Sequence, residues 1–182
     1  MFSGISEAAA IEMFPELRTD IELLSLATYF AQAAEVLSQE DATSGAVLPL
    51  TLNALYALAK LRKPQDLVKA AFELRLACIG GYTPDLSGCA VCGREDCGRL
   101  SVTGGVLQCA QCGESEGLSL PVSSGCLAAM RYIVSCDAKR LFSFSLEGPA
   151  RRELAEAAET YLVTQLEHGF YTLDFYKSLL LT

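Results

Sequence analysis

The 182-residue sequence lacks the features that most catalytic sites need. Its one histidine, His168, lies near a predicted helix end, where a histidine usually interacts with the helix dipole. No glycine-rich phosphate-binding loop is present, and residues 79–82 (IGGY) are better explained as a helix stop. Glu153, Glu156 and Glu159 have the spacing of a solvated helix face, and no matched acid–base pair is visible. The sequence therefore predicts a protein that is not an enzyme.

Long apolar runs are also missing. The most apolar stretch, residues 23–37, is too short and too often interrupted by polar residues to span a bilayer. The first residues, MFSGISEAAAIEMF, have no basic start and no continuous apolar core, so they do not resemble a secretory signal. We therefore expect a cytoplasmic protein that does not contact membranes. In that reducing compartment, clustered thiols are metal ligands or catalytic groups more often than disulfides.

Basic residues are in the minority. The chain has 14 Lys and Arg against 22 Asp and Glu, a net charge of −8. This balance argues against a protein whose whole surface binds nucleic acid, but it allows a local basic patch. The clearest basic zone is residues 49–83, with five basic and two acidic residues.

Five of the eight cysteines lie between residues 89 and 112. Cys89 and Cys92 form one C-x-x-C pair, and Cys109 and Cys112 form a second, with sixteen residues between the pairs. Two such turns that face each other place four thiolates at the corners of a tetrahedron, which is the geometry of a structural zinc site. Because a closed four-thiolate site has no open coordination position, it stabilises a fold and does not activate water. We predict one structural zinc ion per chain.

Other interpretations of these cysteines remain open. A redox-active pair and an iron–sulfur cluster use similar spacings, and a chain can also lose its metal. The spacing of Cys97 fits neither pair, so we expect a free thiol at the surface. Cys78, Cys126 and Cys136 lie in or beside apolar helical patterns and are predicted to be small core residues.

Apolar residues recur every three or four positions over most of the chain, which predicts helices with one buried face. The predicted helices are residues 6–13, about 15–37 with Pro15 in the first turn, 49–62, 66–79, 123–135, 149–167 and 173–181. Residues 84–120 are instead rich in glycine and cysteine, with short β-like pieces at 100–102 and 106–107. The expected fold is mostly α: a helical bundle domain, residues 1–83 and 121–182, with a small four-cysteine zinc ribbon inserted at 84–120.

Several motifs resemble one known family. The segment AAFELRLACIGGYTPDLSGCAVCG, followed by GGVLQCAQC, resembles the C-terminal part of the bacterial recombination mediator RecO. FPELRTDIELLSLATYFAQAAEVL resembles the family's first helix after its N-terminal domain, and YKSLLL resembles its C-terminal Lys-Ser pattern. The family's N-terminal barrel of the oligonucleotide-binding type has no counterpart in these residues. The matching positions outside the cysteines are Phe72, Glu73, Leu74, Arg75, Gly81, Tyr82, Pro84, Gly104, Gly105, Lys177 and Ser178.

The resemblance implies a non-enzymatic role in recombinational DNA repair. Such proteins anneal complementary strands, help to exchange single-strand-binding protein for recombinase on single-stranded DNA, and work with the partner RecR. They also bind the acidic, apolar tail of single-strand-binding protein. The residues expected to bind that tail are Arg62, Lys63, Lys69 and Arg75, and those expected to bind DNA phosphates are Arg131, Lys139, Arg140, Arg151 and Arg152.

Each of these assignments has an alternative. Both basic sets are also consistent with solvated surfaces, and Arg75 is consistent with a structural ion pair. For the chain as a whole, the main alternative is a zinc-stabilised adaptor that binds only proteins, because the acidic net charge and the missing barrel weaken the case for DNA binding. A thiol oxidoreductase is the remote alternative.

Overall fold

A computed structural model describes residues 12–38, 44–112 and 117–181. These residues form six α-helices and four short strands. Most of the predicted helix at 6–13 lies outside the described residues. None of the helices in the described ranges is long and apolar enough to cross a membrane. In chain order the elements are α1 (Ile21–Ser38), α2 (Ser44–Ala59), α3 (Gln65–Ile79), β1 (Asp85–Cys89), β2 (Arg99–Ser101), β3 (Val106–Gln108), β4 (Ser119–Pro121), α4 (Ser124–Ser135), α5 (Gly148–Leu166) and α6 (Tyr171–Leu179).

The six helices predicted between residues 15 and 181 are present, and α3, α4, α5 and α6 agree with their predicted ends within two residues. Helix α1 begins at Ile21 and not at Pro15, and Pro15–Arg18 form a separate 3-10 helix. Helix α2 begins at Ser44, although Pro49 was expected in its first turn. A proline inside a helix loses one backbone hydrogen bond, to the carbonyl four residues earlier. Val47 and Leu50 are both buried, so the apolar face continues upstream of the proline and holds the extra turn in place.

Helix α3 is the centre of the helical domain. Its residues from Leu67 to Leu74 are all buried, because α5, α2, α4 and α1 pack around it. The Phe72 ring stacks on Phe30 of α1, with ring centroids 4.2 Å apart. Helix α6 packs against α1, where the Tyr29 ring meets Phe170 edge to face at 5.5 Å. Offset and edge-on ring contacts of this kind add to the apolar burial that holds the bundle together.

Two of the buried residues on α3 carry charge. Lys69 Nζ lies 2.8 Å from Glu73 Oε1 and 2.6 Å from Glu159 Oε2 of α5. The Tyr29 hydroxyl donates to Glu73 Oε1 at 2.7 Å, and Lys177 Nζ of α6 lies 2.5 Å from Glu159 Oε1. Tyr29, Lys69 and Glu73 are buried, Glu159 is partly buried, and Lys177 is exposed at the outer end. We call these five residues the buried ion cluster. It connects α1, α3, α5 and α6, so the expectation that Glu159 belongs to a solvated helix face is wrong.

The environment of the cluster favours an ionised Lys69. Burial alone would lower the pKa of Lys69, but the carboxylates of Glu73 and Glu159 outweigh burial and raise it. Burial raises the pKa of Glu73, which is completely enclosed. Burial would also raise the pKa of Glu159, yet attraction to the Lys69 and Lys177 ammonium groups lowers it below its usual value. The shared ammonium of Lys69 is therefore what makes two neighbouring carboxylates tolerable.

The four strands form one small sheet in the order β1–β3–β2–β4. Strands β2 and β3 confirm the two predicted β-like pieces, and they pair antiparallel. Strand β1 runs parallel to β3, and β4 runs antiparallel to β2. We call the sheet and its cysteine turns the ribbon. Its buried residues Leu86, Leu100 and Leu107 belong to the same apolar cluster as the helical core.

Hydrogen bonds fix the ribbon to α4 and α5. Arg131 Nε donates to the Leu86 carbonyl at 2.8 Å, and Gln165 Nε2 donates to the Val102 carbonyl at 2.8 Å. The turn between β2 and β3 also docks on α5: Gly105 has φ +63°, and a Cβ there would lie 2.8 Å from the Tyr161 hydroxyl oxygen. A side chain at this position would therefore be both strained and crowded, which explains glycine in the turn.

We predict that Lys69→Met destabilises the chain by about 3–5 kcal/mol at pH 8, because it leaves Glu73 buried without its cation. The difference in the free energy of unfolding between the wild type and the variant should decrease as the pH falls from about 8 toward about 5, because a protonated Glu73 has no charge to bury. Urea unfolding followed by circular dichroism across this pH range measures both effects.

The control is the double variant Lys69→Met/Glu73→Gln. It removes both charges and keeps an acceptor for Tyr29, so it should recover most of the lost stability. A Lys69→Met chain that is as stable as the wild type at pH 8 would contradict a structural role for the buried ion cluster.

Candidate metal centre and basic surfaces

The two C-x-x-C turns meet at one end of the ribbon. Cys89 ends β1 and Cys109 follows β3, so the pairing of these strands brings the turns together. The four sulfurs of Cys89, Cys92, Cys109 and Cys112 all lie within 4.8 Å of one another. Cys89 and Cys109 are buried, whereas Cys92 and Cys112 are exposed at the edge. The structure thus places the four predicted ligands in one cluster.

Backbone geometry aims the sulfurs inward. The Gly93 N–H donates to the Cys89 carbonyl at 2.8 Å, and the Cys112 N–H donates to the Cys109 carbonyl at 3.3 Å. Gly93 has φ +72°, which a residue without Cβ adopts easily. Each turn therefore closes tightly and presents both of its cysteines on the same side.

The sulfur positions fit a tetrahedral metal better than a disulfide. Cys92 Sγ and Cys109 Sγ are 3.7 Å apart. A tetrahedron of thiolates around zinc, with Zn–S bonds of about 2.3 Å, has sulfur–sulfur edges of about 3.8 Å. A disulfide needs a bond of about 2.05 Å. The four cysteines can therefore hold a metal ion, and the donor set is the one that structural zinc prefers.

Local hydrogen bonds already favour thiolates at two of the four positions. The backbone N–H of Cys92, with those of Cys109 and Val91, lowers the pKa of the Cys89 thiol to about 6. The backbone N–H of Cys112 lowers the pKa of Cys109. Hydrogen bonds with Cys92 and Cys109 raise the pKa of Cys112 to about 12. A divalent cation would displace protons from the thiols when it binds and would offset part of the negative charge of the four thiolates.

The other cysteines are placed differently. Cys97 is only 4% exposed, so the expectation of a surface thiol is wrong. Its Sγ donates to the Arg94 carbonyl at 3.1 Å, which turns it into the ribbon. Cys126 is a buried core residue as predicted, while Cys78 and Cys136 are partly buried. Sequence spacing alone gave no signal for the inward turn of Cys97.

The residues expected to bind a partner do not form one surface. Lys69 is enclosed in the buried ion cluster, where it has no access to a partner. Arg62 and Lys63 follow α2 and line a depression whose apolar floor includes Leu23 and Leu58. Arg75 lies on the other side of α3, where its Nη2 donates to the Cys136 carbonyl at 2.7 Å.

The residues expected to bind DNA also separate. Arg131 is used to hold β1, and Arg151 pairs with Asp66 at 2.8 Å. Lys139, Arg140 and Arg152 are exposed. Among the five residues expected to bind DNA, these three are exposed and do not make a contact like that of Arg131 with β1 or that of Arg151 with Asp66.

Arg75 faces a pocket that was not predicted from the sequence. The pocket has a volume of about 200 Å³ and is mostly apolar. Arg75 Nε is buried and has no hydrogen-bond partner, and none of the ion pairs among the described residues involves this guanidinium. Lys139 and Arg140 are exposed and lie between the lining residues Ala138 and Leu141 in the sequence, but neither is among the residues that line the pocket. We call it the Arg75 pocket; its other lining residues are Ala46, Pro49, Leu50, Asn53, Ile79, Ala138 and Leu141.

Comparisons with known proteins agree with the motifs. A family model described as "Recombination protein O C terminal" matches residues 18–174. The DNA repair protein RecO of Acetivibrio thermocellus is 32% identical over 178 residues, which cover 96% of this chain and 70% of that protein. RecO of Symbiobacterium thermophilum is 29% identical, covering 98% of this chain and 75% of that protein. RecO of Roseiflexus sp. (strain RS-1) is 31% identical, covering 94% and 61%.

We predict that Cys109→Ser lowers the zinc content of the purified chain well below one ion and lowers its melting temperature, because metal binding contributes folding energy to the ribbon. Elemental analysis and thermal unfolding measure the two effects. Thiol counting before and after chelation should show four thiols that react only when the metal is removed.

Cys97→Ser is the matched control. It changes a buried thiol of the same ribbon that lies outside the four-sulfur cluster, and its hydroxyl can still donate to the Arg94 carbonyl. This variant should keep one zinc ion. Equal zinc loss in both variants, or full zinc retention in Cys109→Ser, would contradict the ligand assignment; ligand thiols that react freely in the zinc-loaded chain would favour the oxidoreductase alternative.

Proposed function

The chain belongs to the RecO family of DNA repair proteins, and from this premise we propose that it is a non-enzymatic mediator of recombinational repair. In this role it takes part in the annealing of complementary strands and in the exchange of single-strand-binding protein for recombinase, together with a RecR-like partner. We further propose that residues 1–83 and 121–182 form its helical domain and that residues 84–120 form a zinc ribbon.

The proposed zinc ion has a structural role. Cys89, Cys92, Cys109 and Cys112 would hold it, which leaves no coordination position for a substrate or a water. Four thiolates in a sheet of short strands need the cation, since the ribbon buries few large apolar residues of its own. The ribbon contacts α4 and α5, so the metal would also stabilise the surface that these helices form with the ribbon.

The Arg75 pocket is the feature that supports a binding role most strongly. A partly buried guanidinium without a carboxylate partner favours an incoming anion, because burial makes an unpaired charge costly. The apolar wall beside it suits an aromatic side chain. Both requirements are met by a chain end that is acidic, ends in an aromatic residue and carries a free carboxylate. This is the chemistry of the single-strand-binding-protein tail that we expect the family to bind.

Charge near the pocket is consistent with the same ligand. Lys139 and Arg140, which were expected to bind DNA, are exposed and lie in the chain between the pocket residues Ala138 and Leu141. We propose that they attract acidic residues upstream of the terminal aromatic. The proposed site thus combines Arg75, from the set expected to bind the tail, with two cations of the other set, whereas Arg62 and Lys63 line a different depression.

Direct DNA binding by these 182 residues has less support. Arg131 and Arg151 are engaged in structural contacts, and the net charge is −8. Nucleic-acid binding depends on many cations acting together on phosphates. The arrangement favours protein contacts as the main contribution of this chain to a repair complex, as in the adaptor alternative.

We predict that Arg75→Ala weakens binding of an acidic peptide with a C-terminal aromatic residue by at least about tenfold, equivalent to about 1.4 kcal/mol. The loss follows from removing the cation that faces the terminal carboxylate. Ala46→Phe, which fills the pocket from its exposed rim and leaves Arg75 in place, should weaken binding by a similar factor. Isothermal titration calorimetry measures both.

Arg62→Ala is the control, because it removes the same charge at a different surface. It should change the affinity less than about twofold, since distant surface charges are screened by salt. Amidation of the peptide's C-terminus should reduce binding to wild type but have little further effect on Arg75→Ala. Equal losses in Arg62→Ala and Arg75→Ala would show general charge attraction and contradict the proposed site.

A further inference from the structure

A second apolar surface lies between α1 and α6 and shares no lining residue with the Arg75 pocket. Its groove has a volume of about 380 Å³ and an almost entirely apolar lining. Four large side chains line it while remaining strongly exposed: Tyr171 is 74% exposed, Ile21 58%, Phe175 53% and Leu24 42%. Scattered exposed apolar residues are ordinary, but four in one groove indicate an interaction surface.

The groove floor contains an unsatisfied polar group. Ser25 is only 4% exposed, and its Oγ is buried without a hydrogen-bond partner. The two threonines of the groove are already engaged: Thr28 Oγ1 donates to the Leu24 carbonyl at 2.8 Å, and Thr172 Oγ1 donates to Gln32 Oε1 at 2.5 Å. Buried hydroxyls nearly always have partners. The Ser25 hydroxyl is therefore an unsatisfied polar group in the wall of the groove, below its accessible surface.

The two helices that form the groove carry more acidic than basic residues. Helix α1 contains Glu22 and Glu35 but no lysine or arginine. Glu22 is engaged with Gln65 of α3, whereas Glu35 is exposed. Helix α6 contributes Asp174, and its one cation, Lys177, is paired with Glu159. A second copy of this chain would bring the same negative charge to the contact and be repelled. A basic partner would be attracted.

We propose that the α1–α6 groove binds an amphipathic helix of a basic partner protein. Ile21, Leu24 and Thr28 follow each other at spacings of three and four, so the α1 wall extends over two turns, about 10 Å. A helix laid between α1 and α6 inserts apolar side chains at positions i, i+3 or i+4, and i+7. Its lysines and arginines are attracted to the exposed carboxylates of Glu35 on α1 and Asp174 on α6. This site is separate from the Arg75 pocket, which lies on α2 and α3.

The test uses a synthetic amphipathic helix of about 18 residues, with leucines along one face and lysines elsewhere. Fluorescence anisotropy measures its binding to the whole chain. Leu24→Asp and Phe175→Asp should each weaken binding at least about tenfold, because each places a charge in the apolar contact. Both side chains are exposed, so both variants should fold, and circular dichroism checks this. Tyr171→Asp is the reserve variant if one of them does not fold.

The control variant Leu118→Asp adds the same negative charge at an exposed apolar position next to β4 of the ribbon. Because each of these variants makes the chain more acidic, simple charge attraction predicts equal or tighter peptide binding in all of them. Loss in the groove variants with retention in Leu118→Asp therefore supports the proposal. Binding that is unchanged in the groove variants, or equal for a scrambled peptide of the same composition, overturns it.

Two further outcomes also decide the question. Sedimentation velocity of the free chain shows whether the groove is instead covered by a second copy; a dimer that Phe175→Asp converts to monomer overturns the proposal.

A peptide with glutamate in place of every lysine should bind at least about tenfold more weakly than the basic peptide. Since the groove variants leave Arg75 untouched, binding of the acidic aromatic-ended peptide should stay at the wild-type level, which separates this proposal from the repair function proposed above.

Discussion

The burial of one ammonium group between two carboxylates organises this structure. Lys69 neutralises Glu73 of its own helix and Glu159 of α5, and Tyr29 and Lys177 extend the contacts to α1 and α6. Charges sealed in this way are costly to bury unless each has its partner, so the cluster specifies how four helices must meet. The cluster also limits which cations can bind a ligand. Lys69 stabilises the fold, and the remaining basic residues Arg62, Lys63 and Arg75 lie at two separate sites.

The ribbon depends on this arrangement because it is held by α4 and α5. Arg131 and Gln165 donate to its backbone carbonyls, and Tyr161 packs against the glycine turn at Gly105. At the far end, four sulfurs converge with the spacing of a tetrahedral metal site. A short sheet with few large buried residues thus has two supports, the helical core on one side and the proposed zinc ion on the other. Losing either would free the loops that shape the surface near α4.

Much of this could be predicted from local patterns, for identifiable physical reasons. Helix ends followed from apolar periodicity and from glycine and proline signals, and the cysteine cluster followed from the short spacing within each pair. What could not be predicted depended on which helix faces meet. The sequence pattern assigns Glu159 to an exposed charged face of its helix. In the structure α3 packs against this position and Lys69 forms an ion pair with Glu159. The position of Cys97 depends on a single turn toward the Arg94 carbonyl, and no period in the sequence marks that turn.

The same limit applies to the binding surfaces. Arg75 and Lys69 lie six residues apart on one helix, and the sequence does not distinguish them. In the structure Lys69 is buried in ion pairs, whereas Arg75 lines an apolar pocket and its Nε has no hydrogen-bond partner. Ala138 and Leu141, which flank Lys139 and Arg140 in the chain, line the same pocket because the turn after α4 returns to α2 and α3. Only the packed structure separates cations that hold the fold from cations that can hold a ligand.

We propose that Arg75, whose guanidinium has no carboxylate partner among the described residues, marks the recruitment site of this RecO-family chain. A crystal structure of the chain with an acidic peptide that ends in an aromatic residue tests it most directly. We expect the terminal carboxylate against Arg75 and the aromatic ring among Pro49, Leu50 and Ile79. A peptide bound instead at the depression beside Arg62 and Lys63, with the Arg75 pocket empty, would contradict the claim.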